Sequence, residues 1–152
     1  MDFTLSHNSP YTTQLVGAEV SYDVQSRNLT RHTTIRRDDA TIAEIDWHNF
    51  KATTVVMDGE EFKLSDFLKG PSSMTMKREF SLNGSTYVWS SHLKSLRLER
   101  DGEKIAEFER HTFRKSKLHV SQAAEKILDF VIVTFICVWR EETEMTVALS
   151  AS

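Results

Sequence analysis

The chain has 152 residues, 39% hydrophobic and 27% charged, with a net charge of −3 and one cysteine. That length buries one core without disulfide or metal staples, and a lone thiol excludes a disulfide framework. The balanced charge excludes a global basic field for nucleic acid, and with no run of about 20 apolar residues no helix spans a membrane.

Short β-like runs separated by turn signals fill the first four-fifths of the chain. Phe3 and Leu5 share one face of a strand at 2–5. After Asn8-Ser-Pro10, strands are predicted at 12–16, at 20–25 with Val20, Tyr22 and Val24 alternating, and at 30–37. Asp38-Asp39 turns into 40–47, where Ala43, Ile45 and Trp47 face one way and Glu44 and Asp46 the other. A strand at 51–57 ends in Asp58-Gly59, and 65–68 makes at most one helical turn before Gly70-Pro71 breaks it. Strands at 77–82 and 85–90 flank Asn83-Gly84, the strongest hairpin signal in the chain. Leu96 and Leu98 lead to Asp101-Gly102, 105–110 returns, and 117–120 runs into Ser121. No repeat and no internal linker appears.

The most apolar stretch follows: Ile127-Leu-Asp-Phe-Val-Ile-Val-Thr-Phe-Ile-Cys-Val-Trp139. Its β-branched residues favour a strand. Ser121, Ala123-Ala124, Glu125-Lys126 and the closing Arg140 favour a helix over about 121–140, which is the reading adopted. At ~1.5 Å per residue the run reaches only ~20 Å, too short to cross a bilayer alone. A helix greasy nearly all round has to be enclosed, and a sheet with one apolar face needs a cover. The two needs answer each other in a closed antiparallel β-barrel of about ten to twelve short strands around a buried C-terminal helix. One domain over 1–142 is expected, with 143–152 a tail or short edge strand.

Candidate chemistry is sparse. The six histidines show no metal-ligand spacing, Gly-x-Ser-x-Gly is absent, and the acidic pairs sit at turns or ends. No catalytic residue, metal or cofactor is therefore expected. Asp129 is the oddest residue, because an ionised carboxylate in apolar surroundings costs several kcal/mol unless partnered; it reads as a structural latch to a strand. The basic residues Arg36, Arg110, Arg114, Lys115 and Lys117 would hold an anionic headgroup if the fold brings them to one rim. The start Met-Asp-Phe-Thr-Leu lacks the cationic and apolar regions of a signal peptide, so an intracellular protein, cytoplasmic or peripheral to a membrane, is expected.

The order Thr33-Thr-Ile-Arg-Arg37, Ala43-Glu-Ile-Asp-Trp47, Tyr87-Val-Trp89, Ile105-Ala-Glu-Phe108, Leu118-His-Val120 and then the 127–135 run resembles an uncharacterised fungal domain family. That family is similar to the tubby C-terminal, LURP-one-related and phospholipid scramblase folds. The resemblance implies a closed barrel threaded by a hydrophobic helix, and a link to membrane lipids. It carries over no functional residue, since no scramblase-like calcium loop and no tubby-like phosphoinositide pair aligns. The leading expectation is a non-enzymatic module meeting anionic membrane lipids or phosphoinositides through a basic rim. A protein-interaction or structural domain is the alternative, and a small-ligand carrier the third reading.

Overall fold

The structure, a computed structural model, describes residues 1–70 and 77–151. Twelve strands come first: β1 (Asp2–Leu5), β2 (Thr13–Val16), β3 (Ser21–Arg27), β4 (His32–Arg37), β5 (Ala40–Asp46), β6 (Thr54–Met57), β7 (Glu60–Lys63), β8 (Lys77–Leu82), β9 (Ser85–His92), β10 (Ser95–Arg100), β11 (Glu103–Glu109) and β12 (Lys117–Val120). A four-residue helix, α1 (Leu64–Phe67), follows β7, and the long helix α2 (Leu128–Ala151) ends the chain. The expected break at Gly70-Pro71 reaches Pro71, which lies outside the described residues, as does Ser152 at the end of the expected tail.

All twelve strands form one antiparallel sheet in the order β7-β6-β5-β4-β3-β2-β1-β12-β11-β10-β9-β8. Its hairpins are set by turn chemistry. Asn83 at φ 52° and Gly84 at φ 81° take the left-handed conformation that a two-residue turn needs to match strand twist, and Asp58-Gly59 and Asp101-Gly102 repeat the device. Period-two alternation then sends one set of side chains inward, among them Phe3, Tyr22, Val24, Ile35, Ile45, Trp89, Leu98 and Phe108.

The expected closed barrel does not form. Among the described residues β7 and β8 are the two ends of the hydrogen-bonded order and do not pair with each other. The reason lies in the segment between them. Lys69 forms an antiparallel bridge with Glu79, taking up backbone groups on the free side of β8. Phe67 of α1 packs against Phe62 of β7, Phe80 of β8 and Phe130 of α2, with ring centroids 5.3, 5.5 and 5.8 Å apart. The seam is thus filled by side chains and one bridge, so the apolar interior is covered without a continuous ladder.

The inner face of this open sheet encloses α2, and every residue from 131 to 140 is buried. Phe108 sits 4.8 Å from Phe135 and 4.7 Å from Trp139. The buried Trp89 indole donates to the Thr134 hydroxyl at 2.8 Å, and that hydroxyl donates to the Phe130 carbonyl at 2.7 Å. The helix also differs from its expected limits. Residues 122–127 form a 3-10 helix, started by an Ala124 N–H to Ser121 carbonyl bond at 3.0 Å, so the α-helix begins at Leu128. At the other end nothing between Glu141 and Ala151 is a glycine or proline, and the helix continues to Ala151.

Alternating connections in an antiparallel sheet fall at opposite ends. The turns at 17–20, 38–39, 58–59, 83–84 and 101–102 lie at the end where α2 starts, and the loops at 6–12, 28–31, 47–53, 93–94 and 110–116 lie where it emerges. Side chains fix this assignment. Asp129 reaches Tyr22 and Arg37 at one end, while Glu142 reaches Ser91 and Arg110 at the other. Those two acids are thirteen residues apart on one helix (142 − 129 = 13), or ~20 Å.

Candidate functional site

Five of the connections around the emerging end of α2 contain six cations, Arg31, Lys51, Lys94, Arg110, Arg114 and Lys115, and no Asp or Glu, while the described part of the β7–β8 connection at the same end adds Asp66 and Lys69. The five turns at the opposite end contain five acids, Glu19, Asp38, Asp39, Asp58 and Asp101, and no Lys or Arg. A near-neutral chain is therefore polarised in its connections, with a basic rim at one end of the sheet and an acidic one at the other.

Each basic loop is pinned locally. In 28–31, Asn28, Leu29 and Thr30 all take positive φ, at 55°, 58° and 66°, which is costly for a β-branched residue. The conformation is held from the core: Arg140, itself 5% exposed, donates to the Thr30 carbonyl at 2.6 Å and to Glu144 at 2.9 Å. Its guanidinium lies 4.2 Å from the Trp47 ring centroid and 5.0 Å from that of Tyr11, a cation–π sandwich. In 47–53 the Trp47 N–H donates to the Arg31 carbonyl at 2.8 Å and its indole to Thr33 at 2.9 Å. The 110–116 loop is tied by Asn8, whose amide donates to the His111 carbonyl at 2.8 Å and accepts from the Ser116 N–H at 3.3 Å.

Two open grooves lie between these loops. One, about 820 Å³, is flanked by Arg31, Lys51 and the last turns of α2, with Trp47, Tyr11 and Arg140 as its floor. The other, about 980 Å³, runs between 93–94 and 110–116 and is flanked by Lys94 and Arg114.

The residues singled out from sequence divide among these places. Arg114 and Lys115 are exposed on the 110–116 loop and take part in no salt bridge among the described residues. Lys117 opens β12 on the outward face beside that loop. Arg110 belongs to the same loop but is engaged: it grips Glu142 of α2 at 2.6 and 2.9 Å, and Glu142 also accepts from Ser91 at 2.5 Å. Arg36 lies on β4 at the acidic end, where it donates to the Asp39 carbonyl at 2.6 Å. The fold therefore does not bring Arg36 to the rim that carries Arg114 and Lys115. Arg31, Lys51 and Lys94 were missed. Their signal was available in the parity of the connections, since every second turn along an antiparallel chain shares an end.

Asp129 accepts from the Tyr22 hydroxyl at 2.6 Å and from Arg37 at 3.2 Å, tying the start of α2 to β3 and β4. Burial, and then the bond to Asp129, push the Tyr22 phenol well above its ordinary range. Among the described residues no group of three or more His, Cys, Asp or Glu is placed to hold a metal ion. Burial likewise raises the Cys137 thiol far above its usual value, which keeps it protonated. No helix among the described residues is long and apolar enough to cross a membrane, which says nothing about strands.

The model of a family of unknown function, DUF6593, matches residues 8–144. The chain belongs to this family. The match runs from the β1–β2 loop to the turns of α2 beyond Glu142, so the family's domain takes in all four cation-bearing loops and the 6–12 loop apart from Ser6 and His7. No curated protein and no solved structure matches the chain.

Proposed function

We propose that this DUF6593 chain is a non-enzymatic module that docks on anionic membrane surfaces, phosphoinositide-bearing ones included, through the rim around the emerging end of α2. The observation carrying the reading is the segregation of charge: the connections described at the emerging end hold seven cations against one acid, Asp66, and the five hairpin turns opposite hold five acids and no cation. A negatively charged sheet of lipid attracts the first end and repels the second, and each basic side chain near such a surface is worth about 1 kcal/mol. Arg31, Lys51, Lys94, Arg114 and Lys115 supply this attraction, because none of them forms a salt bridge among the described residues. Arg110 contributes by fixing the loop to α2. Arg36, at the other end, is no part of the surface.

The likeness to tubby C-terminal, LURP-one-related and scramblase folds belongs to this proposal, as do a fungal origin and an intracellular location on the periphery of a membrane. A sheet of twelve antiparallel strands enclosing a C-terminal apolar helix agrees with the likeness, whereas the open seam between β7 and β8 departs from a closed barrel.

Sedimentation with phosphatidylcholine vesicles, with and without phosphatidylserine or a phosphoinositide, tests the reading. Pelleting with the anionic vesicles alone, weakened as salt rises from low to physiological strength, is the expected result. Equal pelleting with neutral vesicles, or none with either, would overturn it.

A further inference from the structure

The same rim carries a second, uncharged feature. Four of its loops each present one large apolar side chain fully to solvent: Leu29 is 90% exposed, Phe50 101%, Leu93 94% and Phe113 100%. No turn at the acidic end contains a residue of this kind, since the exposed large apolar residues elsewhere, Val16, Val56, Val147 and Leu149, lie on β2, β6 and α2. Each of the four stands beside an unpaired cation one to two residues away, in the pairs Leu29 with Arg31, Phe50 with Lys51, Leu93 with Lys94, and Phe113 with Arg114. The 28–31 turn shows that the presentation is built. Three consecutive residues are held at positive φ by Arg140 from α2, and the outcome is an exposed leucine at the turn's apex.

We propose that Leu29, Phe50, Leu93 and Phe113 insert into the acyl region of an anionic bilayer while the neighbouring cations meet its phosphates. This deepens the surface-docking reading and rests on it. The occupant follows from the arrangement. A protein partner recognises a contiguous, packed apolar patch with pockets for its anchors, whereas these four side chains are divided between two open grooves, Leu29 and Phe50 on one and Leu93 and Phe113 on the other, and each is backed by a cation. Apolar tips ringed by positive charge match a soft apolar phase beneath an anionic interface. α2 emerges within the same ring, and Val147 and Leu149 are exposed in its last turns.

Because Cys137 is fully buried, a cysteine placed at a loop tip can be labelled selectively in the folded protein. Phe50→Cys and Phe113→Cys, with Asp58→Cys and Asp101→Cys as controls at the other end, are labelled with an environment-sensitive fluorophore. Each is mixed with phosphatidylcholine–phosphatidylserine vesicles, with binding scored in parallel by sedimentation. Blue-shifted emission and quenching by acyl-chain spin labels at 50 and 113, and neither at 58 and 101, is the expected result. Protein that pellets while the labels at 50 and 113 stay in water would overturn insertion and leave surface docking standing. No pelleting would overturn both. As a second readout, Phe50→Ser with Phe113→Ser should lower vesicle affinity about tenfold or more without changing the melting temperature, and unchanged affinity would count against insertion.

Discussion

At the scale of single residues, the Trp89–Thr134 bond shows why the interior tolerates polar atoms. The indole N–H is buried and its partner is the Thr134 hydroxyl, which itself repays the Phe130 carbonyl. Thr134→Val keeps the shape and strands the indole donor, so it should cost about 1–3 kcal/mol. Chemical denaturation checks this, and adding Trp89→Phe should recover part of the loss, because the orphaned donor goes with it. Cys137 yields a pH prediction. Burial raises its thiol, with Glu141 adding and Arg140 opposing, so the folded state keeps a proton that the unfolded chain releases above about 8.5. The sign follows: this stability is fully present below that pH and is lost as pH rises, by up to about 1.4 kcal/mol per unit. Between about pH 9 and 10 the wild type should therefore lose more stability than Cys137→Val, and parallel curves would contradict the burial of the thiol. Thr134 and Cys137 were legible as core in the sequence, since they fall within the one long apolar run. The Trp89–Thr134 bond was not, because a contact between positions 89 and 134 depends on how strand and helix register in space.

At the scale of elements, the alternating strands and the Asp-Gly and Asn-Gly turns announced the sheet directly, and the 127–139 run announced the helix. The misreadings have physical causes. Closure was inferred from the need to cover an apolar face, but α1 meets that need with three aromatic contacts; the single helical turn expected at 65–68 is there, and what the sequence did not show is that its Phe67 fills the seam. The last turns of α2 are thin in apolar residues, which suggested a tail, yet Glu141, Glu142 and Glu144 are clamped by Arg78, Arg110 and Arg140. The Arg78–Glu141 and Arg110–Glu142 pairs join residues distant in sequence and leave no periodic trace, whereas Arg140–Glu144 has the i,i+4 spacing of a helix. The seam is testable by itself. Phe67→Ala removes the plug between β7 and β8 while leaving the twelve-strand ladder intact, so it should lower stability by about 2–4 kcal/mol. It should also speed amide hydrogen exchange in β7 and β8 more than in β1 and β12, which lie mid-sheet. Uniform acceleration across the sheet would mean that the seam is not a separate weak point.

At the scale of the whole molecule, a net charge of −3 concealed the feature that matters most. Composition averages over both ends of the sheet, and the chain's charge is arranged by which turn a residue occupies. Arg114 and Lys115 were found because they lie side by side in sequence. Arg31, Lys51 and Lys94 join them only through the antiparallel topology, and the same topology sends Arg36 to the far end. In the docking proposed above, this polarity orients the molecule on an anionic surface. Lys51→Glu, Lys94→Glu and Arg114→Glu combined, set against Arg36→Glu alone, test it most directly by titration with phosphatidylserine-containing vesicles at low salt. The rim variant should lose roughly a hundredfold or more in affinity, about 1 kcal/mol or more for each of the three cations removed, while the Arg36 variant binds as wild type does. Equal loss in both, or none in the rim variant, would contradict it.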